Sequence, residues 1–163
     1  MKILVFTEGT IITHAGAAGL DREEIVRQVQ EGQATVSDYA SCIPLGNANT
    51  KLQAWKRQGA VIAYLTSRTT SNQIEDIQKV LKRYDFPEGE LFFRRAGEQY
   101  KDVAERVRPD LLIEDDCESI GGEVEMTYPH IKLELKEEIK SIVVREFGGI
   151  NHLPDNLSDL ARY

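Results

Sequence analysis

The stretch Ile3-Leu4-Val5-Phe6-Thr7-Glu8-Gly9-Thr10 decides the fold of this chain. Its first half is a short apolar run, which is typical of a buried strand, and its second half is a loop with an acid, a glycine and a threonine. In parallel α/β sheets, the loops at the carboxyl ends of the strands form the ligand-binding edge. The stretch therefore predicts a central strand that ends in a binding loop.

Strands and helices alternate along the rest of the chain, and this favours a parallel sheet covered by helices on both faces. Strands are predicted at residues 2–6, 60–65, 91–94, 111–113 and 141–145. Helices are predicted at residues 21–30, 49–58, 71–84 and 98–107, where apolar residues recur at helical spacing, and a last short helix follows Pro154. The chain is expected to form one domain over residues 1–163, a three-layer α/β/α Rossmann-like fold.

Residues 13–44 are the least regular part of the chain, since they are rich in Gly, Ala, Ser and Asn around one amphipathic helix. This segment follows the loop of the first strand directly. It is therefore either a small helical cap over the carboxyl edge of the sheet or a long crossover connection with one helix. The pattern leaves both interpretations open.

Composition excludes several classes of protein. The formal net charge of −7 argues against nonspecific nucleic-acid binding, because a phosphate backbone requires a basic face. No apolar run is long enough to cross a bilayer, so no membrane partner is expected. Cys42 and Cys117 form neither a disulfide framework nor a zinc motif, which favours the reducing cytoplasm. The sequence gives no indication of the oligomeric state.

Polar residues follow the other predicted strands at the same edge of the sheet. Thr66 and Ser67 end the second strand, where hydroxyl and backbone N–H groups can hold an anionic oxygen. Lys101 lies early in the helix after the third strand and adds a positive charge. Three acids in a row, Glu114-Asp115-Asp116, follow the strand at 111–113 and would repel one another without a cation. Mg²⁺ is the ordinary cation for a site that offers only oxygen ligands.

This ordered set of residues resembles the haloacid dehalogenase-like (HAD-like) superfamily of phosphatases and phosphotransferases, over residues 2–122. In that family an aspartate at the end of the first strand attacks phosphorus, and a second acid two residues later is the general acid and base. The resemblance implies a set of roles for matching positions. Glu8 is the acid/base; Thr10, Thr66, Ser67 and Lys101 bind phosphate; Glu8, Glu114, Asp115 and Asp116 hold Mg²⁺.

Phe6 stands at the nucleophile position of the resemblance. A phenylalanine cannot form an acyl phosphate, and it offers no oxygen to a metal. The favoured hypothesis is a HAD-like protein that keeps a Mg²⁺ and phosphate pocket for a small phosphorylated molecule, with a binding or regulatory role and little or no catalysis. The alternative is an unconventional Mg²⁺-dependent phosphohydrolase, a HAD-like hydrolase that acts on a small phosphorylated metabolite or nucleotide through Glu8 or an activated water.

Other candidate residues receive weaker interpretations. The three histidines, His14, His130 and His152, are scattered at loop-like positions and are expected at the surface. No pair of them has the helical spacing of metal ligands. Arg94 and Arg95 leave the third strand at the binding edge, where neutralising the acids is favoured over binding phosphate. Cys117 is not expected to act as a nucleophile, because its acidic neighbours raise the pKa of its thiol.

Overall fold

The computed structural model describes residues 1–163 and contains a sheet of five parallel strands between two layers of helices. The strands of this sheet are β1 (Lys2–Phe6), β4 (Val61–Leu65), β5 (Leu91–Phe92), β6 (Leu111–Asp115) and β7 (Lys140–Val144). Two further short strands, β2 (Ile12–Thr13) and β3 (Ile43–Pro44), pair with each other outside it. The helices are α1 (Arg22–Gln30), α2 (Ala48–Arg57), α3 (Ser71–Arg83), α4 (Tyr100–Val107), α5 (Leu133–Lys136) and α6 (Leu157–Leu160). The main sheet has the order β5-β4-β1-β6-β7, so the predicted fold class is confirmed.

The alternation of side chains along β1 builds the two halves of the core. Ile3 and Val5 point into a cluster that includes Trp55 of α2, whereas Leu4 points into a second cluster with Val103 of α4. Successive residues of a strand face opposite sides of the sheet, and both sides here are covered by helices. The apolar run that opens the chain is therefore the centre of the molecule.

β6 is longer than the sequence predicted. Its register against β7 continues through Glu114↔Val143 and Asp115↔Val144, so the first two acids of the triplet belong to the strand itself. Strand alternation then directs their side chains to opposite faces of the sheet. This difference explains why the acids of the triplet have different environments.

Residues 14–42, called the insertion below, leave and re-enter the core through a small antiparallel ladder. Ile12 pairs with Pro44, and Thr13 pairs with Ile43, so the segment returns beside its own start. Inside it, α1 is capped by Asp21, whose side chain accepts the backbone N–H of Glu24 at 2.9 Å. The insertion therefore lies next to the loop that follows β1.

The C-terminal segment is fastened to α2. The Lys51 ammonium donates to the carbonyl of Leu153 at 2.6 Å, and the Trp55 indole donates to the carbonyl of Pro154 at 2.9 Å. The short helix predicted after Pro154 is present as α6. None of the helices is long and apolar enough to cross a membrane.

Candidate functional site

The carboxyl ends of β1, β4, β6 and β7 surround a cavity of about 170 Å³. Asp115 at the end of β6 lines it, as do Glu8, Ser67 and Glu146 from the segments after the other three strands. The insertion contributes Val29, Val36, Tyr39 and other residues to the lining. The cavity thus lies where parallel α/β sheets bind ligands.

Phe6 lies in this cavity as the last residue of β1. Its half-buried ring meets the ring of Tyr100 edge-on, with a centroid distance of 5.2 Å and an interplanar angle of 74°. Edge-to-face contact of this kind stabilises a pair of aromatic rings. The position that the resemblance gives to a nucleophile is therefore filled by a packed hydrocarbon ring.

The Glu8 carboxylate is surrounded by donors from the loop after β4. It accepts a hydrogen bond from the Thr66 hydroxyl at 2.7 Å and longer bonds from the Ser67 hydroxyl and backbone N–H, each at 3.4 Å. The Thr7 hydroxyl also donates to it. The Arg68 guanidinium completes the set with its Nε at 3.2 Å from Oε1. Glu8 is thus engaged on both oxygens.

Arg68 connects the core to the insertion. Its guanidinium carbon lies 4.3 Å from the centre of the Tyr39 ring, and Nη1 donates to the Tyr39 hydroxyl. Its Nη2 also donates to the Ser67 hydroxyl at 2.7 Å. A cation over an aromatic face is held by the quadrupole of the ring, which fixes the guanidinium in the cavity. The sequence did not single out Arg68, because nothing in its spacing indicated the contact with Tyr39.

Thr10 fastens the loop after β1 to the end of β6. Its hydroxyl donates to Oδ2 of Asp115 at 2.7 Å, and neither residue is more than slightly exposed. Gly9 passes close to the same carboxylate, since a Cβ at this position would lie 2.8 Å from Oδ2. Gly9 also has a φ of +81°, in the region that favours glycine. The absence of a side chain at Gly9 therefore allows the loop after β1 to lie close to Asp115, and the hydrogen bond from Thr10 holds the loop there.

Asp115, Asp116 and Glu146 form a group in which one oxygen of each lies within 4.8 Å of the others. Glu146 was not predicted. It follows β7, the strand beside β6, so its place in the group depends on this strand order as well as on the common edge at which parallel strands end. The Glu146 carboxylate accepts two hydrogen bonds from Ser119, one from its backbone N–H at 2.6 Å and one from its hydroxyl at 2.7 Å.

The chemistry of this group fits a hard divalent cation. Burial raises the pKa of Asp115 and of Glu146, and the carboxylate charges nearby contribute to both shifts. No basic side chain forms an ion pair with any of the three carboxylates. Oxygen-only ligands with excess negative charge are the usual environment of Mg²⁺ or Ca²⁺. These residues therefore suit the ion that the resemblance implies.

Glu114 and Glu8, the two other predicted metal ligands, lie outside this group. Both oxygens of Glu114 accept backbone N–H groups, from Thr127 at 2.7 Å and from Tyr128 at 2.8 Å. Burial raises the pKa of Glu114 despite these bonds. Its contacts tie β6 to the segment before α5, which is a structural arrangement.

The structure does not bring Lys101 into the cavity. Lys101 is half-buried on α4 and forms no hydrogen bond or ion pair, while its neighbour Tyr100 lines the cavity. The guanidinium of Arg94 lies 4.1 Å from the centre of the Tyr100 ring. Arg94 forms no ion pair with the acids, and its buried Nε has no hydrogen-bond partner. Arg68 is thus the basic residue that lines the cavity.

His14 is buried, contrary to the expectation from the sequence, whereas the pKa of Cys117 is raised as expected. His14, expected at the surface, is only 4% exposed and lines the cavity, with Nε2 at 2.7 Å from Oε1 of Gln28. The reason is that Gln28 lies on α1, which folds back over the start of the insertion. Burial, together with Asp115 and Glu114, raises the pKa of the Cys117 thiol, as its acidic neighbours indicated.

Comparison with known proteins gives matches of structure only. No protein-family model matches the chain. No curated protein sequence matches it either. The structure is similar to the Class C acid phosphatase from Bacillus anthracis with tungstate bound, with a TM-score of 0.58 and 15% identity over 91% of this chain and 68% of that chain.

A second structure of the Class C acid phosphatase from Bacillus anthracis gives a TM-score of 0.56 at 16% identity, over 99% of this chain and 77% of that chain. A chain of the Pnkp1/Rnl/Hen1 complex gives 0.56 at 14% identity, over 89% of this chain and 46% of that chain. This chain therefore spans less than half the length of the latter. Similarity at this level of identity shows a shared fold, and the chemistry depends on the residues of the cavity.

Proposed function

This chain has a haloacid dehalogenase-like fold, and we propose that it binds a divalent cation and a small phosphorylated molecule without forming a phosphoaspartate. The observation that carries the proposal is the position of Phe6, whose ring packs on Tyr100 inside the cavity. A group that attacks phosphorus needs a lone pair at this point, and a phenyl ring has none. We therefore assign the protein a binding or regulatory role.

Asp115, Asp116 and Glu146 would hold the cation. Mg²⁺ at this position would supply positive charge that offsets the negative charge of a phosphoryl group. Thr10 positions Asp115 through its hydrogen bond, so its part in the site is indirect. This assignment replaces Glu8 and Glu114 by Glu146 as the proposed ligands.

The phosphoryl group would bind at the loop after β4. Thr66 and Ser67 offer hydroxyl groups there, and Arg68 offers a guanidinium fork, which matches the geometry of phosphate oxygens. Lys101 has no place in this assignment, because it does not line the cavity.

The organic part of the ligand would lie under the insertion. Val29, Val36 and Tyr39 give this side of the cavity an apolar and aromatic surface. We propose that the insertion is a small cap, since it returns to its own starting point and contributes residues to the lining of the cavity. A compact ligand with an apolar or aromatic group suits a cavity of about 170 Å³.

The cellular setting follows from charge and cysteine content. The net charge of −7 favours a small-molecule ligand over nucleic acid. The two cysteines are free, which is consistent with our placing the protein in the reducing cytoplasm.

The test combines an activity screen with cation binding. The purified protein is assayed with Mg²⁺ on p-nitrophenyl phosphate, small phosphate esters and nucleotides, and its melting temperature is measured with and without Mg²⁺. We expect no turnover above the buffer rate and an increase of the melting temperature with Mg²⁺. Turnover that disappears in Asp115→Asn or Glu8→Ala would contradict this proposal and support the phosphohydrolase alternative.

A further inference from the structure

The contacts of Glu8 have the form of an occupied anion site. Its two carboxylate oxygens receive donors from Thr66, Ser67 and Arg68, which are three consecutive residues after β4, and from Thr7 on its own loop. Thr66 is fully buried, so its hydroxyl has no access to bulk water. A set of donors that converges on one carboxylate is also complementary to two oxygens of a phosphoryl group.

The donors are held in place by contacts that do not involve Glu8. The backbone N–H of Thr66 donates to the carbonyl of Phe92 at 3.0 Å, and the backbone N–H of Arg68 donates to the Thr66 hydroxyl at 3.1 Å. The guanidinium of Arg68 is fixed on the ring of Tyr39 at 4.3 Å. These donors would consequently stay in position if the Glu8 carboxylate left.

We infer that Glu8 is an internal ligand of this anion site, and that a phosphate or another tetrahedral oxyanion binds by displacing its carboxylate from Thr66, Ser67 and Arg68. The inference rests on the proposed function, since it concerns the phosphoryl end of the same cavity. According to this inference, Glu8 weakens the binding of the oxyanion, because it competes for the same donors. The Glu8 carboxylate occupies the site in the absence of an anion. Arg68 binds this carboxylate first and the oxyanion after the carboxylate has left.

Competition from an internal ligand lowers the apparent affinity by the fraction of molecules in which the site is free. If Glu8 fills the site in about nine of ten molecules, its removal raises the affinity for an oxyanion about tenfold. Loss of a negative charge anywhere in the cavity also favours an anion, so the test needs a variant that separates the two effects.

The experiment is a calorimetric titration of inorganic phosphate, repeated with tungstate, into the wild-type protein and into Glu8→Ala, with and without Mg²⁺. We expect Glu8→Ala to bind both oxyanions on the order of tenfold more tightly. Glu8→Gln keeps the shape of the side chain but presents amide hydrogens to the donors, so we expect an increase in the same direction. Circular dichroism and a urea titration establish whether each variant is folded. If one of the two variants does not fold, the other is sufficient for the test.

Glu125→Gln is the matched control. Glu125 is exposed and lines the same cavity, but it makes no hydrogen bond with Thr66, Ser67 or Arg68. We expect a change of less than about twofold in this variant, because a screened surface charge has little effect. Thr66→Val should remove the gain when it is combined with Glu8→Ala.

Equal or weaker oxyanion binding by Glu8→Ala and Glu8→Gln would overturn the inference, as would an equal gain in Glu125→Gln. The proposed function fails in a different measurement, through turnover in the activity screen or through the absence of any effect of Mg²⁺ on the melting temperature. The two results are therefore distinguishable.

Discussion

The hydroxyl of Thr10 donates to Oδ2 of Asp115 at 2.7 Å, and this bond joins the loop after β1 to the end of β6. The two residues are 105 positions apart in the chain. Both residues are buried, so the bond is shielded from bulk water. The bond fixes the carboxylate around which the proposed cation site is arranged.

Replacement of Thr10 by valine keeps the shape of the side chain and removes the donor. We expect Thr10→Val to lower the free energy of unfolding by about 1–3 kcal/mol, because a buried carboxylate oxygen loses its partner. Urea denaturation gives this value. Thr10→Ser keeps the hydroxyl and should retain most of the stability, and an equal loss in both variants would show that packing of the methyl group, rather than the bond, is responsible.

Replacement of Asp115 by asparagine should abolish stabilisation by Mg²⁺, since the amide carries no negative charge. At a cation concentration 100 times the dissociation constant, the wild-type protein is expected to gain about 2.7 kcal/mol, and Asp115→Asn none. Thermal unfolding with and without Mg²⁺ measures the difference.

Glu114→Gln is the control for that experiment. Its amide can accept only one of the two backbone N–H groups that Glu114 now accepts, so we expect a loss of about 1–3 kcal/mol in stability without Mg²⁺. The gain with Mg²⁺ should persist. Loss of the Mg²⁺ effect in Glu114→Gln would identify Glu114 as a ligand after all.

Replacement of Phe6 by aspartate places a carboxylate at the position that the resemblance assigns to the nucleophile. We expect no phosphatase activity from this single change, because Glu8, the acid/base of the resemblance, competes with the phosphoryl group for Thr66 and Arg68. The variant should also lose roughly 2–4 kcal/mol of stability, since the ring contact with Tyr100 is lost and a charge enters an apolar contact. Phe6→Leu, which keeps an apolar side chain, is the control for stability. Mg²⁺-dependent turnover by Phe6→Asp would show that the rest of the site is competent for catalysis.

The buried Cys42 thiol predicts a loss of stability in alkaline solution. Burial, with Glu8 and Asp38 nearby, raises the pKa of Cys42 from 9.0 to about 12. Between these values the unfolded chain releases the proton of Cys42 and the folded protein keeps it. The contribution of this group to the free energy of unfolding is therefore constant below about pH 9 and falls as the pH rises above it. The expected slope from this group is about 1.4 kcal/mol per pH unit.

Urea midpoints between pH 8 and pH 10.5 measure this slope in the wild-type protein and in Cys42→Ala. The alanine variant loses some packing at every pH, but its slope should be smaller by the contribution of one proton. Burial also raises the pKa of Tyr64, which makes part of the slope common to both proteins. Equal slopes would contradict the assignment of the effect to Cys42.

The sequence was sufficient to predict the parts of the molecule that depend on local pattern. The apolar runs of β1 and β6 and the stripe of α3 were confirmed, because each follows from periodicity. The convergence of Thr66 and Ser67 on Glu8 follows from the same logic, since β4 and β1 are neighbours in a parallel sheet.

The residues whose surroundings the sequence did not indicate depend on contacts between distant segments. Glu146 joins the acid group only because β7 lies beside β6, and Arg68 lines the cavity only because Tyr39 of the insertion holds it. Lys101 lies one position from Tyr100 on α4, and one residue along a helix turns a side chain by about 100°, so a correct helix did not suffice to place it. His14 is buried against Gln28 of α1, 14 residues later, a contact that its loop-like position in the sequence did not indicate.

The ladder of β2 and β3 has a consequence for how this protein can change over evolutionary time. Thr13 and Ile43 face each other across it, and directly opposed residues of an antiparallel pair have Cα atoms about 5 Å apart. A two-residue turn spans that gap, so the intervening segment can be shortened, lengthened or exchanged without rerouting a single strand of the main sheet. The ligand contacts proposed for the insertion can thereby change while the strand order of the main sheet is kept.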